Sequence, residues 1–115
     1  MNIEEYRDYC LSFRYTSESF PFNESVLVFK VLDKIFSLVD VESYNGVNVK
    51  CNPEKAIELR EEYFGVTPAF HMSKKHWNTI SVGGSISDNL IKEWIKDSYY
   101  LVVSKMPKKK QAEIG

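Results

Sequence analysis

Apolar residues recur at helical spacing in three segments of the chain. Asn2 and Glu5 have the spacing of a capping box, and this first segment continues to about residue 13. Asn52-Pro53 begins the second, because asparagine caps a helix and proline suits the first turn, where no amide donor is required. The third runs through the stripe that starts at Leu90, with Ser85 or Ser87 as its cap. The pattern therefore predicts three helices.

Short runs of β-branched and apolar residues predict five strands between these helices. Asp33-Lys34 fits a two-residue turn, and Asn45-Gly46 is the strongest hairpin signal in the chain. The predicted strands are residues 26–32, 35–43, 47–51, 69–72 and 77–82, the last two joined by a turn at 73–76. The order α-β-β-β-α-β-β-α predicts a two-layer α+β domain, a five-stranded antiparallel sheet with helices on one face.

Two polar segments fall outside this pattern. Residues 16–25 are rich in turn formers and predict a loop that tucks Phe20, Phe22 or both rings into the core. Residues 106–115 are expected to be a flexible basic tail. The single domain is therefore predicted to span residues 1–105.

The composition supports a conventional core. With 115 residues, 43% of them hydrophobic, the chain can fold as one domain without a metal or disulfide. No apolar run approaches the length of a membrane span, and the acidic N-terminal stretch lacks the basic start and apolar core of a signal peptide. We therefore expect a cytoplasmic protein that does not contact membranes, with Cys10 and Cys51 reduced.

The charge is nearly balanced overall but unevenly distributed. A net charge of −1 argues against a strong, general binder of polyanions. Residues 1–64 carry −5 and residues 65–115 carry +4, so one basic surface could still meet an anion. The alternative is an uneven surface charge with a solvated tail. Arg60, beside the buried stripe of the second helix, is expected to be a salt-bridged residue whose stem covers apolar surface.

Five segments, taken together and in this order, resemble the MmcQ/YjbR-like proteins. They are SFPFNE, LVFKVLDKIFSLV, VKCNPEKAIELREEY, GVTPAFHMSKKHWNTI and LIKEWIKDSYYLV, and the resemblance covers roughly residues 1–104. It implies an antiparallel five-stranded sheet with helices, in the shape described as double-wing or CyaY-like. It also implies DNA binding, by analogy of fold, and brings no catalytic motif.

Strand alternation predicts which residues share a face of the sheet. The helix-covered face is predicted to hold Leu27, Phe29, Val31, Phe36, Leu38, Val47, Val49, Phe70, Met72, Ile80 and Val82. The opposite face is predicted to hold Val28, Lys30, Ser37, Val39, Asn48, Lys50, His71, Trp77, Thr79 and Ser81. No further layer is expected to cover this second face, so its lysines could hold phosphates and Trp77 could stack on a base.

The candidate nucleic-acid-binding residues combine this face with the adjoining turn. They are Lys30, Lys50, His71, Lys74, Lys75, His76 and Trp77. Half-solvated sheets ordinarily carry such lysines, so a solvated face is the plain alternative. The second alternative is a protein-interaction or chaperone-like module that uses the same face to bind a peptide or a dimer partner. A monomer or weak dimer is expected.

Metal binding and catalysis have weaker support. His71 and His76 flank a turn that Cys51 could approach, but this loose spacing is a poor zinc signal, and no metal is expected. Cys51 precedes a helix N-terminus, which lowers a thiol pKa, so Cys51 with His71 is the best catalytic pair. Because no acid/base pair or phosphate loop accompanies it, we expect a non-enzymatic protein with no catalytic residue and no cofactor.

Overall fold

The computed structural model describes residues 1–69 and 72–115. Its helices are α1 (Ile3–Leu11), α2 (Pro53–Glu62), α3 (Asp88–Ser104) and α4 (Lys108–Ile114). Its strands are β1 (Thr16–Ser19), β2 (Val26–Val31), β3 (Lys34–Asp40), β4 (Gly46–Lys50), β5 (Val66–Pro68) and β6 (Trp77–Ser81). The strands form one antiparallel sheet in the order β1-β2-β3-β4-β6-β5. The predicted α+β class with helices on one face is confirmed, with six strands in the described residues instead of five.

The predicted helix starts are confirmed by their caps. The Asn2 side chain accepts a hydrogen bond from the Glu5 amide at 2.8 Å, and the Glu5 carboxylate accepts from the Asn2 amide at 3.3 Å. The Asn52 side chain accepts from the Glu54 amide at 3.1 Å. Ser87 caps α3 by accepting from the Leu90 amide at 3.2 Å. These bonds satisfy amides that have no partner inside the helix.

Both hairpin turns lie at positions that differ from the predicted ones. The β2–β3 turn is Leu32-Asp33, since Val31 already pairs with Lys34. Gly46 is the first residue of β4, and residues 41–45 connect the strands. A Cβ on Gly46 would lie 2.6 Å from Cγ2 of Thr79, so glycine is needed there for close packing of neighbouring strands.

The segment predicted as a loop at residues 16–25 contains β1, an edge strand paired with β2. Its polar sequence is typical of a short edge strand, whose backbone pairing does not depend on apolar side chains. Glu18 accepts a hydrogen bond from Nε of Arg7 on α1 at 2.6 Å. Phe20 and Phe22 are 49% and 63% exposed, so the expectation that one or both enter the core was wrong.

The tail expected to be flexible contains α4. Ile114 is buried and belongs to the main core, as does Met106 just before the helix. The Gln111 side-chain amide donates to the Met106 carbonyl at 2.8 Å. A single apolar side chain within a lysine-rich segment is too short a pattern to predict this docking.

A β-bulge at Phe36 changes the predicted faces of β3. Ser37 lies opposite Phe29 and Ile35 lies opposite Lys30, which leaves Phe36 without a partner. Val39 consequently joins the main core on the helix side, and Leu38 joins the opposite face. The predicted placement of Leu38 with the helices, and of Ser37 and Val39 away from them, was therefore wrong.

The face without helices carries a second, smaller core. Val28, Leu38, Ala69 and Trp77 are buried there, and Val26, Ile35 and Met72 pack against them. Ala69 and Met72 belong to the segment that leaves β5, which itself lies before the predicted strand 69–72. The expectation of an uncovered face, and the placement of Met72 on the helix side, were wrong because Ala69 and Met72 pack on this face of the sheet. The predicted position of Phe70 lies outside the described residues.

The sheet and α3 enclose the main core. Tyr6 and Cys10 of α1, Leu59 of α2 and Ile95 of α3 contribute to it. Across residues 1–69 and 72–115, no helix is both long and apolar enough to cross a membrane.

Candidate functional site

The candidate residues separate into two groups. Lys30, Lys50 and Trp77 lie on the face without helices, as predicted. Lys30 pairs with Ile35 and Lys50 pairs with Trp77; Trp77 belongs to the second core on that face, and Ile35 packs against it. Lys74 and Lys75 are exposed in the turn before β6, and His76 is half-buried. The His71 prediction lies outside the described residues.

Trp77 is a packing residue in this structure. Its side chain is 6% exposed and lies in the second core with Val28, Leu38 and Ala69. The Ala69 amide donates to the Trp77 carbonyl at 3.0 Å, which fixes Ala69 against β6. A base cannot stack on a ring enclosed in this way, so the structure does not offer the stacking surface expected from the sequence.

Arg60 holds the turn that precedes Trp77. Its Nε donates to Oδ1 of Asn78 at 2.7 Å, and its guanidinium also donates to the carbonyls of Lys74 and, at 3.3 Å, Trp77. No ion pair involving Arg60 occurs among the described residues. The expectation of a salt bridge was therefore wrong, because the planar guanidinium instead matches several carbonyl oxygens at once.

A cavity of about 520 Å³ lies at one end of the sheet, and we call it the basic cavity. It is lined by Asp33, Lys34, Ile35, Lys50, Trp77, Val102, Lys105 and Met106. Lys34 starts β3, Lys50 ends β4 and Lys105 caps the end of α3, so lysines from three elements line one cavity together with one aspartate. Sequence reasoning found Lys50 and Trp77 but missed Lys34 and Lys105, because no local spacing relates a turn to a helix end.

A second cavity of about 480 Å³ opens on the face without helices, and we call it the amide cavity. Its polar lining includes Asn23, Asn45, Asn48, Ser43, Thr79 and Asp40, and its apolar lining includes Phe22, Leu38 and Met72. It contains no lysine or arginine among the described residues. Its lining suits a ligand with hydrogen-bonding groups and an apolar part rather than an anion.

Cys51 lacks the properties of an activated nucleophile. Burial raises the pKa of its thiol, with Asp97 adding to this effect and Lys55 opposing it. Burial likewise raises the pKa of Cys10 to about 12. The lowering expected from the α2 N-terminus is therefore outweighed by desolvation. Within the described residues no three His, Cys, Asp or Glu side chains group as a metal site would require.

We expect Cys51 in the native protein to react with iodoacetamide more slowly than a thiol in an unstructured peptide near neutral pH. A raised thiol pKa leaves less thiolate, which is the reactive species. Mass spectrometry of the time course would measure the rate, with the urea-unfolded protein as reference and Cys10 as an internal buried control. A native rate above the unfolded rate would identify an activated thiol and contradict this reading.

Comparison with known proteins places this fold among related sequences. A model described as YjbR matches residues 11–101. The uncharacterized protein YjbR of Escherichia coli K12 is 32% identical over 112 residues, covering 96% of this chain and 95% of the relative. The uncharacterized protein YbdF of Escherichia coli O157:H7 is 35% identical over 95 residues, covering 82% and 78%.

Two crystal structures are similar to this one. The Deinococcus radiodurans protein DR2400, a DUF419 domain, superimposes with a TM-score of 0.91 at 32% identity, covering 99% of this chain and 88% of the other. A Pseudomonas syringae protein superimposes with a TM-score of 0.75 at 28% identity, covering 88% and 98%. The similarity therefore extends over nearly the whole fold, including the elements that line the basic cavity.

Proposed function

The chain belongs to the YjbR family, and on that premise we propose that it is a non-enzymatic binding domain whose basic cavity holds phosphates of a nucleic acid. The observation that carries this proposal is the convergence of Lys34, Lys50 and Lys105 on one cavity. DNA is the favoured partner because the resemblance to MmcQ/YjbR-like proteins implies it.

The charge arrangement suits an anion with several negatively charged oxygens, such as a run of phosphates. Three ammonium groups around a concave surface can contact neighbouring phosphate oxygens, while Asp33 offsets part of their charge. Lys30 extends the same surface, since it pairs with Ile35 in the cavity wall. With a net charge of −1, the rest of the molecule adds no general attraction for polyanions, so binding depends on this local surface.

The proposed contact reads the backbone of the nucleic acid and not its bases. Trp77 contributes its packed ring to the cavity wall and is too enclosed to stack on a base. Lysines bind phosphates as point charges and carry no sequence information in that role. We therefore expect similar affinity for oligonucleotides of different sequence.

We expect the double variant K34A/K105A to weaken binding to a DNA duplex and to make its salt dependence shallower by about two units, one for each lost phosphate contact. Fluorescence anisotropy at several salt concentrations measures both quantities. K74A/K75A is a matched control, because it removes the same charge from an exposed turn that does not line the cavity. We expect this control to lose less affinity.

Two results would contradict the proposal. An equal or larger loss in K74A/K75A would move the contact from the cavity to the turn. Failure of the wild-type protein to show salt-sensitive binding at tens of micromolar, where non-specific binding is roughly detectable, would remove nucleic acid as the partner. Thermal melts of each variant separate a binding defect from misfolding.

A peptide is the second candidate partner, favoured by an exposed aromatic residue, Phe22, in the lining of the amide cavity. Phe22 is 63% exposed and lines that cavity together with Met72, and Phe20 is also exposed. An apolar side chain of a peptide could cover Phe22 while its backbone meets the neighbouring side-chain amides. Exposed aromatic residues of this kind are frequent anchors in protein interfaces.

We expect peptides selected from a displayed random library to lose about tenfold affinity for Phe22→Ser, the loss of one aromatic anchor. Phe64→Ser is the matched control, because Phe64 is 101% exposed and does not line the cavity. Anisotropy titrations of the selected peptides give the affinities. Equal binding by both variants would exclude the amide cavity as the peptide site.

A further inference from the structure

A third cavity, of about 250 Å³, lies between α2, α3 and the sheet, and we call it the interhelical cavity. Leu59 of α2, Ile80 of β6 and Trp94 of α3 form much of its apolar wall. Cys51, Lys55 and Asp97 provide polar groups around the same space. A predominantly apolar cavity with a few polar groups is the usual form of a small-molecule site.

Three charged residues line this cavity, and one of them, Lys50, lies on the strand face without helices. The other two, Lys55 and Asp97, carry opposite charges and do not neutralise each other directly. Lys55 lies on α2 and Asp97 on α3, and no ion pair joins them among the described residues. Asp97 is an exposed residue, but the partial burial of its carboxyl raises its pKa, with Glu93 adding to the effect and Lys55 and Lys96 opposing it. A ligand that presents an ammonium group to Asp97 and a carboxylate to Lys55 would complement both charges at once.

We propose that the interhelical cavity binds a free α-amino acid with a large apolar side chain. The side chain packs among Leu59, Ile80 and Trp94, the carboxylate faces Lys55 and the ammonium group faces Asp97. The volume suits this ligand, because an apolar cavity of about 150 Å³ already accommodates benzene. The proposal does not depend on nucleic-acid binding, since the interhelical and basic cavities share only Lys50.

Cys51 reports occupancy of this cavity without any added probe group. Its thiol lines the cavity and is half-buried, whereas Cys10 is fully buried elsewhere in the core. The rate at which N-ethylmaleimide labels Cys51 is measured with increasing L-phenylalanine or L-leucine. At ten times the half-protecting concentration we expect labelling to slow about tenfold, as mass action requires when only the empty cavity reacts.

Analogues that lack one charge test the proposed orientation. Phenylacetate lacks the ammonium group, phenethylamine lacks the carboxylate, and toluene lacks both. We expect the half-protecting concentration of each analogue to be at least about tenfold higher than that of L-phenylalanine, which is the equivalent of one lost charged hydrogen bond. Asp97 and Lys55 are both exposed, so each can be replaced without disturbing the core. Asp97→Asn should reduce the preference for L-phenylalanine over phenylacetate. Lys55→Met should reduce the preference for L-phenylalanine over phenethylamine.

The control is Lys75→Met, an exposed position in the turn before β6 and outside the cavity lining, which should leave the preferences unchanged. Absence of protection by either amino acid would overturn the proposal. Protection by toluene equal to that by L-phenylalanine would also overturn it, since the charges would then play no part. So would unchanged preferences in both Asp97→Asn and Lys55→Met. The nucleic-acid titrations test a different cavity, so each of these outcomes leaves the conclusion from those titrations unchanged.

Discussion

Replacing Trp77 with alanine is expected to lower the free energy of unfolding by about 3–5 kcal/mol, the usual cost of truncating a large buried aromatic side chain. Trp77 fills the second core, where Val28 and Ala69 are fully buried and Leu38 is nearly so. Without the ring, Ala69 and Met72 lose a large packing partner. The effect reaches the basic cavity as well, because Trp77 forms part of its wall.

Urea denaturation followed by circular dichroism measures this change. Phe64→Ala is the matched control, since it truncates an aromatic ring that is 101% exposed and should change stability by less than about 0.5 kcal/mol. A loss below about 1 kcal/mol for Trp77→Ala would show that the ring is not enclosed in solution. The second face would then be open, and base stacking by Trp77 would again be available.

Replacing Ser98 with alanine is expected to lower the free energy of unfolding by about 2–4 kcal/mol, because it leaves a buried carbonyl and a partly buried amide without their partner. The Ser98 hydroxyl donates to the Phe36 carbonyl at 2.6 Å and accepts from the Lys50 amide at 2.8 Å. Phe36 is the bulged residue of β3, so its carbonyl lies where the regular ladder to β4 is interrupted. One hydroxyl from α3 thus completes the hydrogen bonding of the bulge.

Ser104→Ala is the control on the same helix. Its exposed hydroxyl donates to the Leu101 carbonyl at 2.6 Å, within the helix, and the substitution brings the same small gain in helix propensity. We therefore expect Ser104→Ala to be nearly neutral in the same denaturation experiment. If Ser98→Ala were equally neutral, water or a shifted strand would be satisfying Phe36 and Lys50, and the bridging role would be excluded.

Both substitutions also bear on nucleic-acid binding. Ser98 holds the backbone of Lys50, and Trp77 pairs with Lys50 across the β4–β6 ladder. Each variant should therefore displace a lysine of the basic cavity without removing its charge. Affinity should fall with little change in salt slope, unlike the result expected for K34A/K105A.

Local patterns in the sequence determined the starts of the three predicted helices and the antiparallel character of the sheet. Asn2, Asn52 and Ser87 act on amides two or three residues away, so their caps need no information from the rest of the chain. The alternation along β2 likewise predicted the faces of its residues correctly. Of the candidate site, Lys50 and Trp77 were found in this way.

The tertiary structure decided what depends on residues distant in the chain. The bulge at Phe36 is tolerated because Ser98, 62 residues later, satisfies its carbonyl, and that bulge reverses the faces of Leu38 and Val39. Trp77 is buried because Ala69 and Met72 pack with it on the face without helices. Lys34 and Lys105 meet Lys50 only because the end of α3 packs beside the β2–β3 turn. Such contacts depend on packing and hydrogen bonding over the whole fold, so the spacing of residues within a short segment cannot predict them.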